Sequence, residues 1–420
     1  MIKRTAAVLA TVGATALVLA GCSGSSAPAD AGPVPITFWH GYTEADGKVL
    51  DQIVADFNAS QDTYVITTET KTWAVIDDTL LPSLSSKQGP DIVAMPAERL
   101  PVYADKGAFA DLSDFYGSSD SNTADLVSQA KDMVTVNGTP YGVPTGFVPL
   151  AMFYNKALFA AAGITAAPTT WDEWVADAKK LTVDENGDGT PEQYGVAIPD
   201  HATVANGLWP SLFLSGGGNI VDGGTTAVID SPENAATLKY WTDAITQDKI
   251  SPTGLDGIAA DKLFSSGKAA MHVGGPWMAS IATDNNIDYG IAAIPAGPAE
   301  QAASAIGVSM GVTAQADDAK KAGAEAFFSY FFQKDVATKW SLGSGWPPLR
   351  TDIPLSDVSS NPVVASLSEI ASTGRALLPG VVNSVDVLTD VDELTQKAVS
   401  GGDVTALLTT AQDKIQQAIG

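Results

Sequence analysis

Residues 184–189 read Asp-Glu-Asn-Gly-Asp-Gly, the first half of a calcium loop. Alternating Asp and Asn oxygens, with glycine at the sixth position to curl the chain, are what a hard cation needs. The twelfth position should supply a bidentate glutamate and is Gly195 instead; Glu192, at the ninth, is a further ligand candidate. Two readings stay open: a structural Ca2+ held by Asp184, Asn186, Asp188 and Glu192, or a plain Gly/Asn/Asp turn leading into Tyr194-Gly195-Val196. A second pattern, Gly307-Val308-Ser309-Met310-Gly311, spells the G-x-S-x-G of a hydrolase nucleophile. That chemistry needs a histidine after the serine, and His40, His201 and His272, the only histidines, all precede it. The run continues into Val312-Thr313 and reads as a strand packed closely on a neighbour. Three histidines and one cysteine build no usual His/Cys metal site. There is no H-E-x-x-H, P-loop or dinucleotide fingerprint.

Carboxylates and tryptophans remain. Glu44, Glu69, Asp91 and Glu98 are candidates to converge on one cleft. Two such groups would serve a glycosidase, but carboxylates also hold sugar hydroxyls without turnover, and binding is the expectation. Trp39, Trp73, Trp209, Trp277 and Trp346 lie at strand ends or beside Gly or Pro rather than in helical stripes. An indole face suits the C–H face of a pyranose and leaves the hydroxyls to polar partners. The expected ligand set is Trp277 as stacking platform, Trp39 and Trp346 as clamps, and Glu44, Glu69 and Asp91 as acceptors. His40 and Arg350 are the expected donors, and Glu98, Tyr154 and Trp209 complete the set.

Such a set needs a scaffold. Ile36–Trp39 reads as a strand, and Leu50, Ile53, Val54 and Phe57 fall at helical spacing after it. Tyr64–Glu69 alternates as a strand, Ile76, Leu80, Leu81 and Leu84 mark a second helix, and Asp91–Met95 is a third strand. Strands alternating with helices imply βαβ units, a mainly parallel sheet, and a ligand beyond the strands' carboxyl ends. Trp39-His40, Glu69 and Met95-Pro96 are placed at such ends. Thr170-Trp171-Asp172-Glu173 is a capping box, and Trp171 and Trp174, one turn apart, read as packing. Ser231-Pro232-Glu233 opens another helix. Ala269–Val273 and Tyr289–Ile294 read as strands, and a long helix spans roughly Asp318–Phe332.

The first residues are excluded from that fold. Lys3 and Arg4 precede an apolar run, Thr5–Ala20, ending in Leu19-Ala20-Gly21-Cys22. This is the pattern of a secretory leader with a lipobox, so residues 1–21 are expected to be removed and Cys22, the sole cysteine, lipidated. Residues 22–35 are a short, flexible tether. The net charge of −25 excludes nucleic acid and anionic lipid as partners by repulsion. The remaining length favours two domains.

Taken in order, several short motifs resemble the extracellular solute-binding proteins of family 1, the group that holds maltose- and glycerol-phosphate-binding proteins. They are Ile36-Thr37-Phe38-Trp39-His40, Gly89-Pro90-Asp91-Ile92-Val93, Tyr141-Gly142-Val143-Pro144 and Phe153-Tyr154-Asn155-Lys156, followed by the capping box, Gly267–Met271 with Gly275-Pro276-Trp277, and Gly345-Trp346-Pro347-Pro348. The resemblance implies an α/β, two-lobed periplasmic-binding-protein-like fold of type II. Each lobe is a mixed sheet flanked by helices, with a ligand between them and no catalysis. It implies lobe 1 from 36–145 and 291–333, and lobe 2 from 146–290 and 334–420. Chain crossings fall near Val143–Pro149, Tyr289–Pro295 and Tyr330–Asp335. It also places a ligand-facing aromatic at Trp277. The function it implies is a monomeric lipoprotein on the outer face of a bacterial membrane, needing no cofactor and handing a sugar to ABC permease subunits. A glycerophosphate ligand and an extracellular glycoside hydrolase are the alternatives.

Overall fold

The computed structural model describes residues 32–202, 205–378 and 381–420, so the leader and Cys22 lie outside the described residues. The first half alternates as the periodicity predicts: β1 (Val34–His40), α1 (Ala45–Ser60), β2 (Tyr64–Thr70), α2 (Trp73–Ser85) and β3 (Ile92–Pro96). Leu50, Ile53, Val54 and Phe57 are the buried stripe of α1. Next come β4 (Val143–Pro149), β5 (Ala151–Asn155), α3 (Trp171–Leu181), β6 (Tyr194–Ala197), α4 (Ala205–Ser215), α5 (Pro232–Thr246) and α6 (Gly257–Ser265). β7 (Ala269–Gly274), α7 (Trp277–Asp284), β8 (Tyr289–Ala293) and the long β9 (Ala303–Val312) follow. The chain closes with α8 (Asp318–Phe331), α9 (Lys334–Ser344), α10 (Pro362–Glu369), β10 (Gly374–Ala376), α11 (Ser384–Val399) and α12 (Val404–Ile419). At α3, Thr170 Oγ1 accepts from Glu173 N (3.3 Å), but the Glu173 carboxylate reaches Thr169 N (2.8 Å) rather than the cap residue itself.

Two sheets organise these elements. The first has the order β10-β9-β3-β1-β2, with β4 also on β9; the second is β8-β5-β7-β6. In the first, β1 is parallel to β2 and β3, and β9 runs antiparallel to both β3 and β4. β4 therefore points the same way as β1–β3, and its carboxyl end leads straight into β5. In the second sheet Ala151, the first residue of β5, pairs with Gly274 at the end of β7 and with Ala293 at the end of β8. β6 is parallel to β7. The carboxyl ends of the parallel strands in both sheets thus lie at the edges where the chain crosses, and a crevice between those edges follows from topology alone.

The second sheet packs its core around Trp171, Trp174, Trp209, Trp241 and Phe213, covered by α11 and α12. Trp171 and Trp174 are packing residues: both meet the Trp241 ring edge-on, at 5.4 and 4.8 Å between centroids. On the first sheet, α8 contributes Phe327, Phe328 and Phe331. The expected lobe boundary at 333/334 is corrected here. α9 stays with the first sheet, because Trp340 continues the same aromatic cluster, 5.6 Å from Phe331 and 5.5 Å from Tyr42. After β9 the chain returns to the second core only between β10 and α11. β8, placed at 289–293, belongs to the second sheet to its last residue. Ser309 is fully buried in β9 and donates to Met95 O (3.3 Å). It is a sheet residue, with Gly307 lying close under Met133.

Candidate functional site

The crevice edge of the first sheet is built by the segments that leave β1, β2 and β3. After β1, Tyr42 is buried with its hydroxyl 2.5 Å from Thr145 Oγ1 in β4. Thr145 Oγ1 donates its own proton to Val308 O (3.0 Å), so Tyr42 is the donor in that pair. Trp340 adds an indole N–H to Thr145 O (2.7 Å). One threonine on a crossing strand thereby fastens both the β1 segment and α9. Burial raises the Tyr42 pKa well above the ordinary phenol value. The Trp73 ring stands edge-on to Tyr42 at 5.4 Å and lies against Gly41, where a methyl group would overlap it.

Two carboxyls at this edge are poorly compensated. Asp46, in the first turn of α1, is pushed up to about 6 by burial, against the Gly47 N–H and the Trp346 side chain that favour its charge. Glu98, two residues past β3, is pushed up to about 7 by burial. It lines a cavity of about 290 Å³ with Ala97, Met133, Phe147, Gly307 and Leu378. Beside it Arg99 is paired with Asp77. Ser384, at the start of α11, donates to the Glu98 carbonyl and so ties the second lobe's helix to the first lobe's edge.

Of the expected ligand residues, the structure gathers some and removes others. Trp346 is buried with its ring over Gly146 of β4, and Trp277 opens α7 directly after β7. Trp277 is half-buried and packs against the cores of both lobes. The two turns meet: Gly345 lies against Pro276. Glu44 is half-buried just before α1. Trp39 is at the expected strand end but mostly buried, with Lys71 Nζ 4.3 Å above its ring and Glu69 paired to that lysine at 3.0 Å.

Five expectations are corrected. Asp91 sits at the amino end of β3, away from the crevice. It accepts from Thr37 N (2.9 Å), Thr37 Oγ1 (3.1 Å) and Lys320 Nζ (2.9 Å). Arg350 spends its donors on Asp352, Asp125 and the carbonyls of Asn122 and Phe332, leaving none for a ligand. Trp209 is fully buried in α4 with its indole donating to Pro199 O (3.0 Å). Tyr154 is at the far end of β5 from the crossing edge, half-buried with its ring 4.8 Å from Phe159. His40 is fully buried between Phe38 and Tyr42; burial lowers its pKa, against the pull of Asp51 3.7 Å away. Tyr42 and Asp46, which the structure places at this edge, were not among the expected residues. Both follow β1 within six residues, inside the segment already singled out.

The partial calcium loop satisfies itself. Asp184 accepts from Gly187 N and Gly189 N, Asn186 from Asp188 N, and Asp188 from Thr190 N, each at 2.8 Å. Glu192 accepts from Glu185 N (2.8 Å) and Asn186 Nδ2 (2.6 Å). Among the described residues no group of three or more His, Cys, Asp or Glu is arranged to hold a metal ion.

A crevice between two α/β lobes, rimmed by aromatics and carboxyls, has counterparts among known proteins. The family model for bacterial extracellular solute-binding proteins matches residues 52–366. The chain belongs to that family. A maltooligosaccharide ABC transporter solute-binding lipoprotein of Streptococcus pneumoniae is 27% identical over 70% of this chain and 68% of its own. The solved cyclic α-maltosyl-1,6-maltose binding protein of Arthrobacter globiformis is 27% identical, with a TM-score of 0.77 over 92% of this chain and 99% of that one. A solute-binding protein of Thermotoga lettingae, solved with α-D-tagatose, superposes with a TM-score of 0.81 at 21% identity over 92% and 100% of the two chains. These are type II periplasmic binding folds, as the two sheets are here. No helix among the described residues of this solute-binding protein is long and apolar enough to cross a membrane.

Proposed function

We propose that this solute-binding protein takes a sugar, of the maltooligosaccharide class, between its lobes and delivers it to an ABC permease without chemical change. The observation that carries the reading is the meeting of the Trp277 and Trp346 turns at the crevice, with the Trp346 side chain favouring the charge of Asp46. Indole faces take the apolar face of a pyranose, and under-compensated carboxyls accept its hydroxyls. The sugar-binding relatives named above support it. A glycerophosphate is disfavoured on electrostatic grounds. The crevice edge carries Glu44, Asp46 and Glu98, while Arg99 and Lys71 are already paired with acids. The leader pattern ending in Cys22 supports a lipid anchor on the outer membrane face, which Cys22→Ala tests: the variant should appear in the medium, and continued partition with membranes would sink the anchor.

The binding reading is tested by thermal shift with maltose, maltotriose, mannobiose and D-tagatose. A ligand that binds only the folded state raises the Tm by mass action. Trp277→Ala should then lower calorimetric affinity for the best sugar roughly tenfold to a hundredfold, about 1–3 kcal/mol. Because Trp277 also touches both cores, the apo Tm should drop by a few degrees as well. Unchanged affinity in the folded variant would remove Trp277 from the site.

A further inference from the structure

β6 runs on past Ala197 into Ile198-Pro199-Asp200-His201, and the first three of these residues are fastened one by one. Ile198 N donates to Ser251 Oγ (3.0 Å), and the Trp209 indole donates to Pro199 O (3.0 Å). Asp200 N donates to Leu255 O (2.9 Å), while Thr395 Oγ1 of α11 donates to Asp200 O (2.5 Å). The Asp200 side chain is buried. Its Oδ2 accepts from Gly254 N and its Oδ1 faces His201 Nδ1, both at 2.6 Å. A carboxylate can only accept, so Nδ1 carries the N–H, and in the neutral form of the ring Nε2 is the acceptor. The His201 side chain is 30% exposed, and no partner of Nε2 is found among the described residues.

Ala202, the next residue, has φ +53°. Among the described non-glycine residues in the left-handed region, Lys87, Asn122, Asn137, Lys249 and Asn286 are of kinds common in turns, and Leu378 shares with Ala202 an apolar side chain there. An alanine there is strained, and such strain persists only where the surroundings over-determine it. The turn is also well placed. Ala197 of β6 is in register with His272 of β7. His201 lies four residues beyond the first and Trp277 five beyond the second, on adjacent parallel strands about 4.8 Å apart. Both leave the second sheet at its crossing edge.

We propose that His201 is a ligand-contacting residue that sets specificity. Its imidazole, oriented by Asp200, accepts a hydrogen bond from a sugar hydroxyl on the second lobe's side of the crevice. Asp200 is the positioning residue. The inference rests on the sugar-binding reading and is tested separately from it. His40 and His272 are fully buried, so diethyl pyrocarbonate should modify His201 first. Peptide mass analysis of the wild-type chain would follow the rate with and without the sugar that gives the largest Tm shift in the panel above. Bound sugar should slow modification of His201 about tenfold or more. His201→Ala should weaken that sugar about tenfold when titrated well below its melting point, since a single lost hydrogen bond to a ligand is of this order, and should lower the apo Tm by a few degrees because buried Asp200 loses its partner. Equal modification rates with and without a sugar that does shift the Tm would overturn the inference and leave the binding reading standing. No Tm shift with any sugar of the panel would overturn both.

Discussion

Asp91 at one end of the first sheet, and Asp46 and Glu98 at the other, are carboxyls drawn out of water, and their surroundings differ. Asp91 accepts a backbone N–H, a hydroxyl and an ammonium, all from its own lobe. Asp46 has the backbone N–H groups of Gly47 and Glu44 and the Trp346 side chain beside it, and Glu98 has its own backbone N–H and a distant Arg99 Nε at 3.8 Å, yet burial outweighs them and both pKa values rise. A buried charge must be paired or it tends to neutralise. The amino end obeys that rule with groups the fold supplies, which is what a scaffold does. The carboxyl end leaves donors missing where a hydroxyl-rich ligand would bring them. Perturbed carboxyls in a crevice are candidates for function, and Asp46 and Glu98 both follow strands at the crossing edge.

The largest effect expected of this contrast is at the amino end. Asp91→Ala leaves Lys320 and the Thr37 N–H without their partner, and removing one member of a buried pair costs about 3 kcal/mol. Urea denaturation at neutral pH would show it as a lower midpoint with an unchanged slope. The folded variant should bind sugar as the wild type does, because Asp91 lies away from the crevice. A loss below about 1 kcal/mol, or weakened sugar binding, would remove the distinction between the two ends.

The carboxyl end should respond with the opposite sign. Glu98 has a folded pKa of about 7 against 4.5 for the free group. Between those values the folded state holds the proton more tightly than the unfolded one. Stability therefore falls as pH rises from about 4.5, and the full cost is present above about 7. The shift corresponds to at most about 3 kcal/mol, reduced somewhat because the side chain is 17% exposed. Glu98→Gln never ionises. It should match the wild type at pH 4 and exceed it by about 2 kcal/mol at pH 8. Parallel stability curves for the two proteins from pH 4 to 8 would show that Glu98 is compensated after all.

The βαβ alternation was legible because α1 has a clean i, i+3, i+4, i+7 stripe and β3 follows a Gly-Pro break. Strand ends were legible for the same reason, and Trp277 and Glu44 follow two of them, whereas Trp346 follows the Gly345 cap of α9. The failures share a cause. Asp91 borders a strand in sequence, but which end of the strand it occupies decides its role, and it precedes β3 rather than following it. Arg350 looks free until Asn122, Asp125 and Phe332 from distant segments converge on it beside its neighbour Asp352. Trp209 stands beside a proline that lies within α4, where the tryptophan is core. The α9 boundary was missed because Gln333 breaks a helix without leaving the lobe. In each case the deciding partner is 10 to more than 200 residues away, as with Asp91 and Lys320.

Residues 184–192 offer a third set of carboxylates, exposed rather than buried, and the smallest expected effect. Here the acceptors are met by backbone N–H groups of the loop's own turns, with Gly187 and Gly189 in the left-handed region that lets those N–H groups point inward. A loop assembled in this way needs no cation to hold its shape. Asp184→Ala removes the acceptor for two of those N–H groups. Because water can replace it at an exposed site, the loss should be only about 1 kcal/mol. A chelator should leave the wild-type Tm within about one degree. If instead chelation lowers the Tm and Asp188→Ala abolishes that response, the loop rearranges around Ca2+ and its side-chain oxygens turn from N–H groups to metal. The order of the three effects carries the argument. Charges paired inside the lobe cost most to disturb, charges left waiting at the crevice stabilise when removed, and charges on the surface hardly matter to the fold.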